Sequence, residues 1–448
     1  MRRALMVSPH FPPDTSAAAH RVRLLAPYLR TFGWTPTVVT VDPRDYEGRL
    51  DTDLLGLVPD DLHVVRCRAW PARATRRLGI GDLGLRAFRG LFAACRRELA
   101  ARDVDVLFIT TYPVYPALLG PILKSMYRVP FVVDYQDPWV GAWGRVVGGG
   151  PNGTPDLKSR CSRAAIGRLE PIVARSADAI TAVSAATYEQ VLTRSPAVAA
   201  RRCAEIPLGF DVRDFERVRE RGRRNRYFDS GDGNVHICYV GTVLPMGSII
   251  LDAILSAVAL LRRRRPDLYA RLRLHFIGSS NQTSERAPLR VVPLANEHGV
   301  GDRVSEIAPR VDYLDALAVL AEATAILLLG SSEPHYTPSK VYPALLTGRP
   351  MVAVYHRSST VVDLLRRVAP PPAARVIVHD DVASIPSKVE EILSALIATI
   401  ETAEGQRASV DTAALERFSA PSLASALADI FDHVAMARWT ELATSERR

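Results

Sequence analysis

Short apolar runs separated by longer amphipathic stretches recur along the whole chain, and the same alternation starts twice. Strands that alternate with helices in this way predict parallel sheets with helical crossovers. The pattern therefore predicts an α/β protein made of two doubly wound, Rossmann-like domains. The predicted strands cover 4–8, 35–41, 104–110, 131–135, 179–183, 235–241, 272–278, 325–330 and 350–354, and the longest predicted helices cover 17–32, 249–263 and 313–322.

A charged stretch over 211–233, with three glycines and no apolar periodicity, separates the two halves. The prediction is an N-terminal domain over 1–210, a linker over 211–233 and a C-terminal domain over 234–429, with a last helix over about 430–448 packing back on the first domain. Ligands of open α/β sheets bind at the carboxyl ends of the strands. We therefore expect the site in the strand-end loops of two domains that face each other across a cleft.

Composition places the chain among globular proteins, with 448 residues, 48% of them hydrophobic and 23% charged. Five cysteines are scattered without paired spacing, which argues against a zinc site or a disulfide framework. The first residues, Met1-Arg2-Arg3, lead directly into the first predicted strand, so no signal peptide is expected. These features favour a cytoplasmic protein.

The net charge of +9 is concentrated in the segment 68–102, where arginines interleave with leucines and phenylalanines. Such a basic amphipathic segment is typical of a surface that lies on anionic lipid, which would make the protein peripheral at the inner face of the membrane. A solvated helix face is the alternative, and it stays open. Nucleic acid is not expected as a partner, because no aromatic stacking platform accompanies the charge.

The run 337–350 carries the strongest chemical signal. It follows an apolar strand, and Pro338 suits the first turn of a helix predicted over 341–347. The amides of Ser339 and Lys340 would then lie at the positive end of that helix, where an anion is stabilised, and Lys340 adds a full charge. Gly348 is expected to end the helix in the left-handed conformation. The run therefore predicts a phosphate-binding clamp.

Taken in order, seven motifs resemble the GT-B fold glycosyltransferases, and most closely the bacterial family 4 sugar transferases, also called glycosyl transferases group 1. Each motif alone is weak, but their order and spacing over nearly the whole chain are specific for the fold. The motifs are 11–14 (FPPD), 134–139 (DYQDPW), 177–184 (ADAITAVS), 206–211 (IPLGFD), 239–242 (YVGT), 276–278 (FIG) and 338–340 (PSK).

The resemblance implies transfer of a sugar from a nucleoside diphosphate donor, held by the C-terminal domain, to an acceptor held by the N-terminal domain. The acceptor would be lipid-linked, a saccharide or a small molecule, in the biosynthesis of cell-surface polysaccharide, glycolipid or a natural product. Neither a metal nor a cofactor is expected, because helix termini and basic side chains can neutralise the leaving diphosphate. The residues expected to bind the donor are Thr242, Gly278, Glu333, His335, Ser339 and Lys340.

On the acceptor side the resemblance points to loops after the first and fourth predicted strands. Asp137 and Gln136 are the candidate catalytic residues, and Gln136 stands where many relatives have a histidine. For Asp137, a role as base or acceptor contact and a role in capping the next loop both stay open. Arg349, beyond the helix-ending glycine, is a weaker donor candidate. The residues expected to bind the acceptor are Asp14, His20, Arg21 and Trp139; a surface position for His20 and Arg21, and a buried anchor for Trp139, are the alternatives.

The chain also departs from the family pattern. His335 and Pro343 stand where relatives carry two glutamates, and Thr242, Leu244, Pro245 and Met246 follow Gly241 where relatives often carry an arginine and a lysine. These differences leave two alternatives beside a divergent transferase. One is a catalytically inactive scaffold or partner subunit, and the other is a nucleotide-sugar 2-epimerase of the same fold.

Overall fold

The computed structural model describes residues 1–139, 157–199, 202–280, 282, 287–331, 338–402 and 409–445. The chain forms two compact units. The first contains residues 1–209 together with the C-terminal segment from Ala420, and the second contains Phe210–Ser419.

A parallel sheet of seven strands forms the centre of the first unit in its described part, in the order β3-β2-β1-β4-β5-β6-β7. Val7 at the end of β1 pairs with Val39 of β2 on one side and with Ile109 of β4 on the other. The strands are β1 (Arg2–Val7), β2 (Trp34–Val41), β3 (His63–Cys67), β4 (Val106–Thr110), β5 (Phe131–Tyr135), β6 (Ala179–Ala182) and β7 (Cys203–Glu205).

Helices cover the sheet of the first unit because its strands are apolar on both faces. Two clusters of buried side chains, one on each face, form the core. The helices are α1 (Ala19–Leu25), which continues as a 3-10 helix over Ala26–Phe32, α2 (Ala72–Arg76), α3 (Leu83–Ala101), α4 (Leu119–Tyr127), α5 (Leu157–Ser176) and α6 (Ala185–Arg194).

The second unit repeats this plan with a parallel sheet that has six described strands in the order β10-β9-β8-β11-β12-β13. Its strands are β8 (Val235–Val240), β9 (Leu272–Ile277), β10 (Val304–Ile307), β11 (Ala325–Leu329), β12 (Met351–His356) and β13 (Ala374–His379). Its helices are α7 (Val212–Glu220), α8 (Ser248–Arg264), α9 (Pro266–Arg271), α10 (Val292–Glu297), α11 (Tyr313–Glu322), α12 (Val341–Leu346), α13 (Thr360–Val368), α14 (Val389–Thr402) and α15 (Thr412–Glu416).

The predicted fold class, two doubly wound α/β domains, is confirmed. Sequence reasoning missed four strands at or near the sheet edges, β3, β7, β10 and β13. Three of them have only three to five residues, and β7 contains no fully buried side chain. Short strands with partly exposed side chains lack the continuous apolar run that marks a central strand.

The last helix, α16 (Ala420–Ser445), packs on the first unit. It begins at Ala420, ten residues before the predicted start near 430. Phe431 lies edge-on against Trp34, with ring centroids 5.3 Å apart. Asp432 accepts a hydrogen bond of 2.7 Å from the Trp34 indole and pairs with Arg2 at 2.7 Å. The chain therefore closes the core of the first unit with its own C-terminal segment.

The segment 211–233 differs from the predicted linker, because it contains helix α7 and belongs to the second unit. Asp211 caps this helix by accepting a hydrogen bond from the Arg213 amide. Asp214 is buried and accepts a 2.8 Å hydrogen bond from the Tyr313 hydroxyl at the start of α11. Most residues of α7 are charged and its buried face is short, so the sequence shows no clear apolar periodicity there.

One segment in the described ranges, Pro245–Arg264, has the length and hydropathy of a membrane span. Its apolar side chains, including Ile254 and Val258, are buried in the core of the second unit. Helix α8 thus packs within its own domain.

A buried ion pair fixes the first unit near the carboxyl ends of its strands. Arg21 of α1 donates two hydrogen bonds to the Asp134 carboxylate of β5, at 3.0 and 2.7 Å. Arg21 also donates to the Pro207 carbonyl at 2.8 Å, and Thr181 of β6 donates to Asp134 at 2.7 Å. The exposed fractions of Arg21 and Asp134 are 3% and 0%. The pair therefore joins the first helix to two strands and to the segment that leaves the unit.

Replacing one partner of this pair should destabilise the first unit strongly. Asp134→Asn leaves the Arg21 guanidinium buried without its counter-charge, which typically costs about 3–5 kcal/mol. All five tryptophans lie in the first unit, so tryptophan fluorescence during urea unfolding reports on that unit.

Glu390→Gln serves as the control, because the Arg264–Glu390 pair is exposed and belongs to the second unit. That change should leave the fluorescence transition in place. A transition of Asp134→Asn that coincides with the wild type would show that the buried pair does not hold the unit together.

Candidate functional site

The loops after β8, β9 and β11 lie at one edge of the second sheet, since these three strands are parallel neighbours. Backbone hydrogen bonds of 2.8 Å join the loops, from the Gly241 amide to the Ile277 carbonyl and from the Val243 amide to the Ser279 carbonyl. The predicted donor residues Thr242 and Gly278 lie at this edge. Ser339 and Lys340 follow β11, which lies between β8 and β12 in the sheet. The topology therefore brings the described donor candidates together.

Lys340 lies over the end of β8 with its side chain partly covered. Its Nζ donates a 2.6 Å hydrogen bond to the Tyr239 hydroxyl and sits 4.3 Å from the centre of the Tyr239 ring. The Tyr239 hydroxyl donates its own proton to the Thr242 carbonyl, at 2.7 Å. A phenol has one proton, so it must accept from Lys340. The Lys340 side chain is thus held at the strand-end loop by a single hydrogen bond.

Gly241 makes room for this lysine. Its φ of +124° is a conformation that favours glycine, and a Cβ atom there would lie 2.9 Å from Lys340 Nζ and 3.2 Å from Cε. Sequence reasoning treated Gly241 only as the end of a strand. Its glycine identity, directly before a loop in a predicted site, is the signal that could have identified this close approach.

Burial lowers the pKa of Lys340 from 10.5 to about 7. No carboxylate in the described part of the chain lies within ion-pair distance of its Nζ, so no counter-charge offsets the loss of water. Lys340 is consequently charged below about pH 7 and neutral above it. A bound anion would raise its pKa again, because the anion favours the charged form.

Helix α12 begins directly after Lys340, close to the predicted helix over 341–347. Gly348 has a φ of +61°, as expected for a glycine that ends a helix. Among the described residues, the amides of Ser339 and Lys340 have no hydrogen-bond partner, whereas the Tyr342 amide donates to the Ser339 carbonyl at 3.3 Å. Within the described residues, two amides thus remain available at the start of α12. Arg349 points away and donates to the Ala321 carbonyl.

Glu306 at the end of β10 supports the same edge and was missed by sequence reasoning. Its carboxylate accepts hydrogen bonds from the Ser279 hydroxyl and from the amides at the start of α10, including Val291 at 2.9 Å and Val292 at 3.0 Å. Arg290 donates to the Val243 carbonyl at 2.7 Å. These contacts fix the loop after β9, where Gly278 has a left-handed φ of +71°.

Two of the predicted donor residues, Glu333 and His335, lie outside the described residues. The described ranges contain no group of three or more histidine, cysteine, aspartate or glutamate side chains that could hold a metal ion.

In the first unit, Arg21 is not available to bind an acceptor. Its guanidinium is buried in the pair with Asp134, so the prediction of an acceptor contact is wrong for this residue. His20 is half-buried, and its Nδ1 accepts a hydrogen bond of 3.1 Å from Arg23. Two adjacent residues of helix α1 thus differ in role: Arg21 is structural, and His20 remains an acceptor candidate.

The candidates after β5 divide in the same way. Asp137 is exposed at the carboxyl edge of the sheet, which keeps it a candidate. Trp139 is buried, with its ring 5.4 Å from that of Tyr135, so it is an anchor for the core and an open acceptor platform is not formed. The Gln136 Nε2 atom is buried and lacks a hydrogen-bond partner among the described residues.

Asp14 is buried, and its carboxylate is directed at a residue that sequence reasoning missed. His10, in the loop after β1, lies with Nδ1 2.5 Å from the Asp14 carboxylate. Ser16 contributes a further hydrogen bond to Asp14, at 2.6 Å from its hydroxyl. The spacing of His10 and Asp14, four residues apart around two prolines, is the signal that could have identified the pair.

The basic segment 68–102 differs from a simple amphipathic surface helix. The leucines and phenylalanines of α3 mostly face the core; Leu83 and Leu91 are buried there, and Phe88 and Phe92 pack against it. Trp70 and Leu78, just before α3, are instead 52% and 79% exposed. Four exposed arginines of this segment have no hydrogen-bond or ion-pair partner among the described residues: Arg73, Arg77, Arg89 and Arg97.

Residues 16–209 match the family model of the glycosyl transferase 4-like domain. A comparison with curated proteins gave no match. The chain is similar in structure to HepE from Anabaena, solved in complex with UDP-glucose, with 16% identity, a TM-score of 0.54, and coverage of 99% of this chain and 100% of that chain.

Two further solved structures are similar. One is a UDP-forming α,α-trehalose-phosphate synthase from Burkholderia xenovorans, with 11% identity, a TM-score of 0.60, and coverage of 97% of this chain and 100% of that one. The other is WaaG, a glycosyltransferase involved in lipopolysaccharide biosynthesis, with 13% identity, a TM-score of 0.52, and coverage of 93% and 99%. At these identities the likeness shows the fold. The predicted resemblance to the GT-B glycosyltransferases is confirmed by the fold over the chain and by the family match over residues 16–209.

The proton on Lys340 gives a direct test of the site geometry. We expect Lys340 to titrate near pH 7, because burial lowers its pKa from 10.5. The chain has four lysines, so carbon NMR of isotopically labelled lysine side chains can follow the Lys340 titration separately. Lys340→Met assigns the signal, and a Lys340 signal that titrates at its ordinary pKa of 10.5 would contradict the site geometry.

Proposed function

We propose that this protein is a glycosyltransferase that moves a sugar from a nucleoside diphosphate donor to a hydroxyl group of an acceptor. The family match and the fold support the class. The observation that carries the proposal is the Lys340 ammonium, held at the carboxyl edge of the second sheet by the Tyr239 hydroxyl and without a carboxylate partner in the described part of the chain. HepE, which shares the fold, was solved with UDP-glucose, and this favours a nucleotide sugar as the donor.

The arrangement suits a diphosphate leaving group. Lys340 donates one N–H to the Tyr239 hydroxyl, so two N–H groups are left for phosphate oxygens. The charge on the diphosphate would keep the lysine protonated at neutral pH, in a place where little water competes for the contact. The amides of Ser339 and Lys340, which have no partner among the described residues, are further donors at the start of α12. Negative charge that develops as the sugar departs is stabilised by such donors without a metal or cofactor, which we propose this protein does not require.

We further propose that the first unit binds the acceptor, near His20 and Asp137, and that the protein works on the cytoplasmic side of cell-surface polysaccharide, glycolipid or natural-product biosynthesis. An inactive scaffold remains the second candidate, because Thr242 and Pro343 stand where family members carry charged residues. The two candidates differ in whether the second unit binds a nucleotide.

Nucleotide binding should depend on Lys340. We expect calorimetric titration with UDP, GDP, dTDP and ADP to show binding of one of them, and Lys340→Met to weaken that binding by about 10- to 100-fold, as for the loss of one charged hydrogen bond. Binding should also weaken as the pH rises above 7, since free Lys340 is then neutral. A metal chelator should not change the affinity.

The chain provides a matched control. Pro386-Ser387-Lys388-Val389 repeats the sequence Pro338-Ser339-Lys340-Val341, but Lys388 pairs with Glu391 on the surface. Lys388→Met should therefore leave nucleotide binding unchanged. If no nucleotide binds to the wild type, the inactive scaffold becomes the better account.

We also propose that the first unit contacts an anionic membrane surface. The contact would use Trp70 and Leu78 as apolar residues and the neighbouring exposed arginines, Arg73 and Arg77, as cations. Aromatic and aliphatic side chains beside unpaired arginines suit the interface between lipid headgroups and acyl chains. Helix α3 itself would stay packed on its domain, with its arginines reaching the same surface.

Sedimentation with lipid vesicles tests this contact. The wild type should bind vesicles that contain phosphatidylglycerol, and less so in high salt, while vesicles of phosphatidylcholine alone should bind little. The double variant Trp70→Ser with Leu78→Ser should lose most of the binding. Met126→Ser, a similarly exposed apolar residue of the first unit, is the control. Equal binding by all variants would exclude this surface.

A further inference from the structure

His10 is held at the carboxyl edge of the first sheet, in the loop that follows β1. Its ring lies parallel to that of Tyr46, with centroids 6.0 Å apart, and 5.7 Å from the ring of Tyr112. Tyr46 is itself fixed, because its hydroxyl donates to the Pro9 carbonyl at 2.9 Å. The imidazole therefore has one defined orientation, with Nδ1 directed at Asp14.

The chemistry of Asp14 determines which ring nitrogen carries the proton. Burial opposes ionisation of Asp14, but hydrogen bonds from His10 and Ser16 and the charge of His10 offset this, so the pKa of Asp14 lies below its ordinary value. An ionised carboxylate can only accept hydrogen bonds. His10 must then donate from Nδ1, and in the neutral ring the lone pair is on Nε2.

That lone pair is available. Nε2 of His10 has no hydrogen-bond partner among the described residues, and the His10 side chain is 17% exposed. Tyr112 beside it is 46% exposed, so the ring can be reached from solvent. An aspartate on one nitrogen and an open, unprotonated nitrogen on the other is the arrangement of a general base.

Polar groups without partners continue along the same edge of the sheet. The Thr111 hydroxyl, directly after β4, and Gln136 Nε2, directly after β5, are buried and unpaired in the described part of the chain. The strands β1, β4 and β5 are consecutive in the sheet, which places these two groups on the side of His10 toward β5. Groups of this kind suit the binding of a hydroxyl-bearing molecule next to the base.

We propose that His10 removes the proton from the acceptor hydroxyl during transfer, and that Asp14 is the residue that positions it. This inference rests on the proposed function. In the step, the hydroxyl proton moves to Nε2 and the hydroxyl oxygen forms a bond to the anomeric carbon. The bond between that carbon and the diphosphate oxygen breaks, and its electron pair leaves with the nucleoside diphosphate. The imidazolium afterwards returns its proton to water.

A nucleophile that carries no proton needs no general base. It therefore distinguishes a catalytic base from a residue that only supports the structure. The assay follows release of the nucleoside diphosphate from the nucleotide sugar whose nucleotide binds in the titration above, first with water as acceptor and then with sodium azide. His10→Gln should slow release to water by about 100-fold or more, since general base catalysis contributes about 10²–10⁴. Azide carries no proton, so release to azide should be nearly the same in His10→Gln and the wild type.

In the water assay, the rate of release by Asp14→Asn should lie between the rates of the wild type and of His10→Gln. His63→Gln changes an exposed histidine of the first unit and should match the wild type. Equal loss with water and azide in His10→Gln would overturn the inference, as would an unchanged rate with water. In both cases nucleotide binding by the wild type would leave the proposed function standing. Absence of nucleotide binding and of release would overturn both.

Nitrogen NMR of the wild type gives a test that does not need a folded variant. The neutral His10 ring should carry its proton on Nδ1. A neutral ring protonated on Nε2 would exclude the proposed base.

Discussion

The buried pair between Arg21 and Asp134 is the constraint on which the first unit depends. Parallel strands bring their carboxyl ends to one edge, but the loops that follow them need a fixed point if they are to hold chemical groups in place. Arg21 supplies it by joining the helix after β1 to β5, and Thr181 and Pro207 extend the contact to β6 and the exit of the chain. The loop that carries His10 therefore ends at the helix that holds Arg21, and the loop that carries Asp137 begins just after Asp134.

The second unit contains a partly covered cation, Lys340, in the opposite situation. Arg21 is neutralised by a carboxylate, whereas Lys340 is covered by the Tyr239 ring and has no acidic partner in the described chain. A paired charge stabilises a fold but offers nothing to a ligand. A charge that has lost water without gaining a counter-ion has a free energy cost that a bound anion can remove. The difference between these two cations separates a structural contact from a binding contact more clearly than their sequence contexts do.

Most of the fold could be predicted from the sequence, because central strands such as β5 and β11 are continuous apolar runs and Gly348 follows its helix as expected. The site could be predicted only in part. Arg21 and His20 are adjacent in sequence, and hydrophobic periodicity does not tell which of them points to a buried aspartate 113 residues away. Gly241 and His10 were missed for the same reason, since their meaning depends on Lys340 and Asp14 being close in space.

The contacts of Lys340 and Tyr239 give a physical account of two departures from the family pattern. Pro343 lies in the first turn of α12, where a missing amide proton costs little, so the helix that follows Lys340 is kept despite the loss of a glutamate. Thr242 contributes its carbonyl to Tyr239, and the absence of further cations after Gly241 spares Lys340 the repulsion of like charges. The substitutions therefore remove charged side chains without removing the amides or the lysine. The proposed divergent donor site, which depends on one lysine, fits these contacts better than a decayed one, because Gly241 leaves the space that Lys340 occupies.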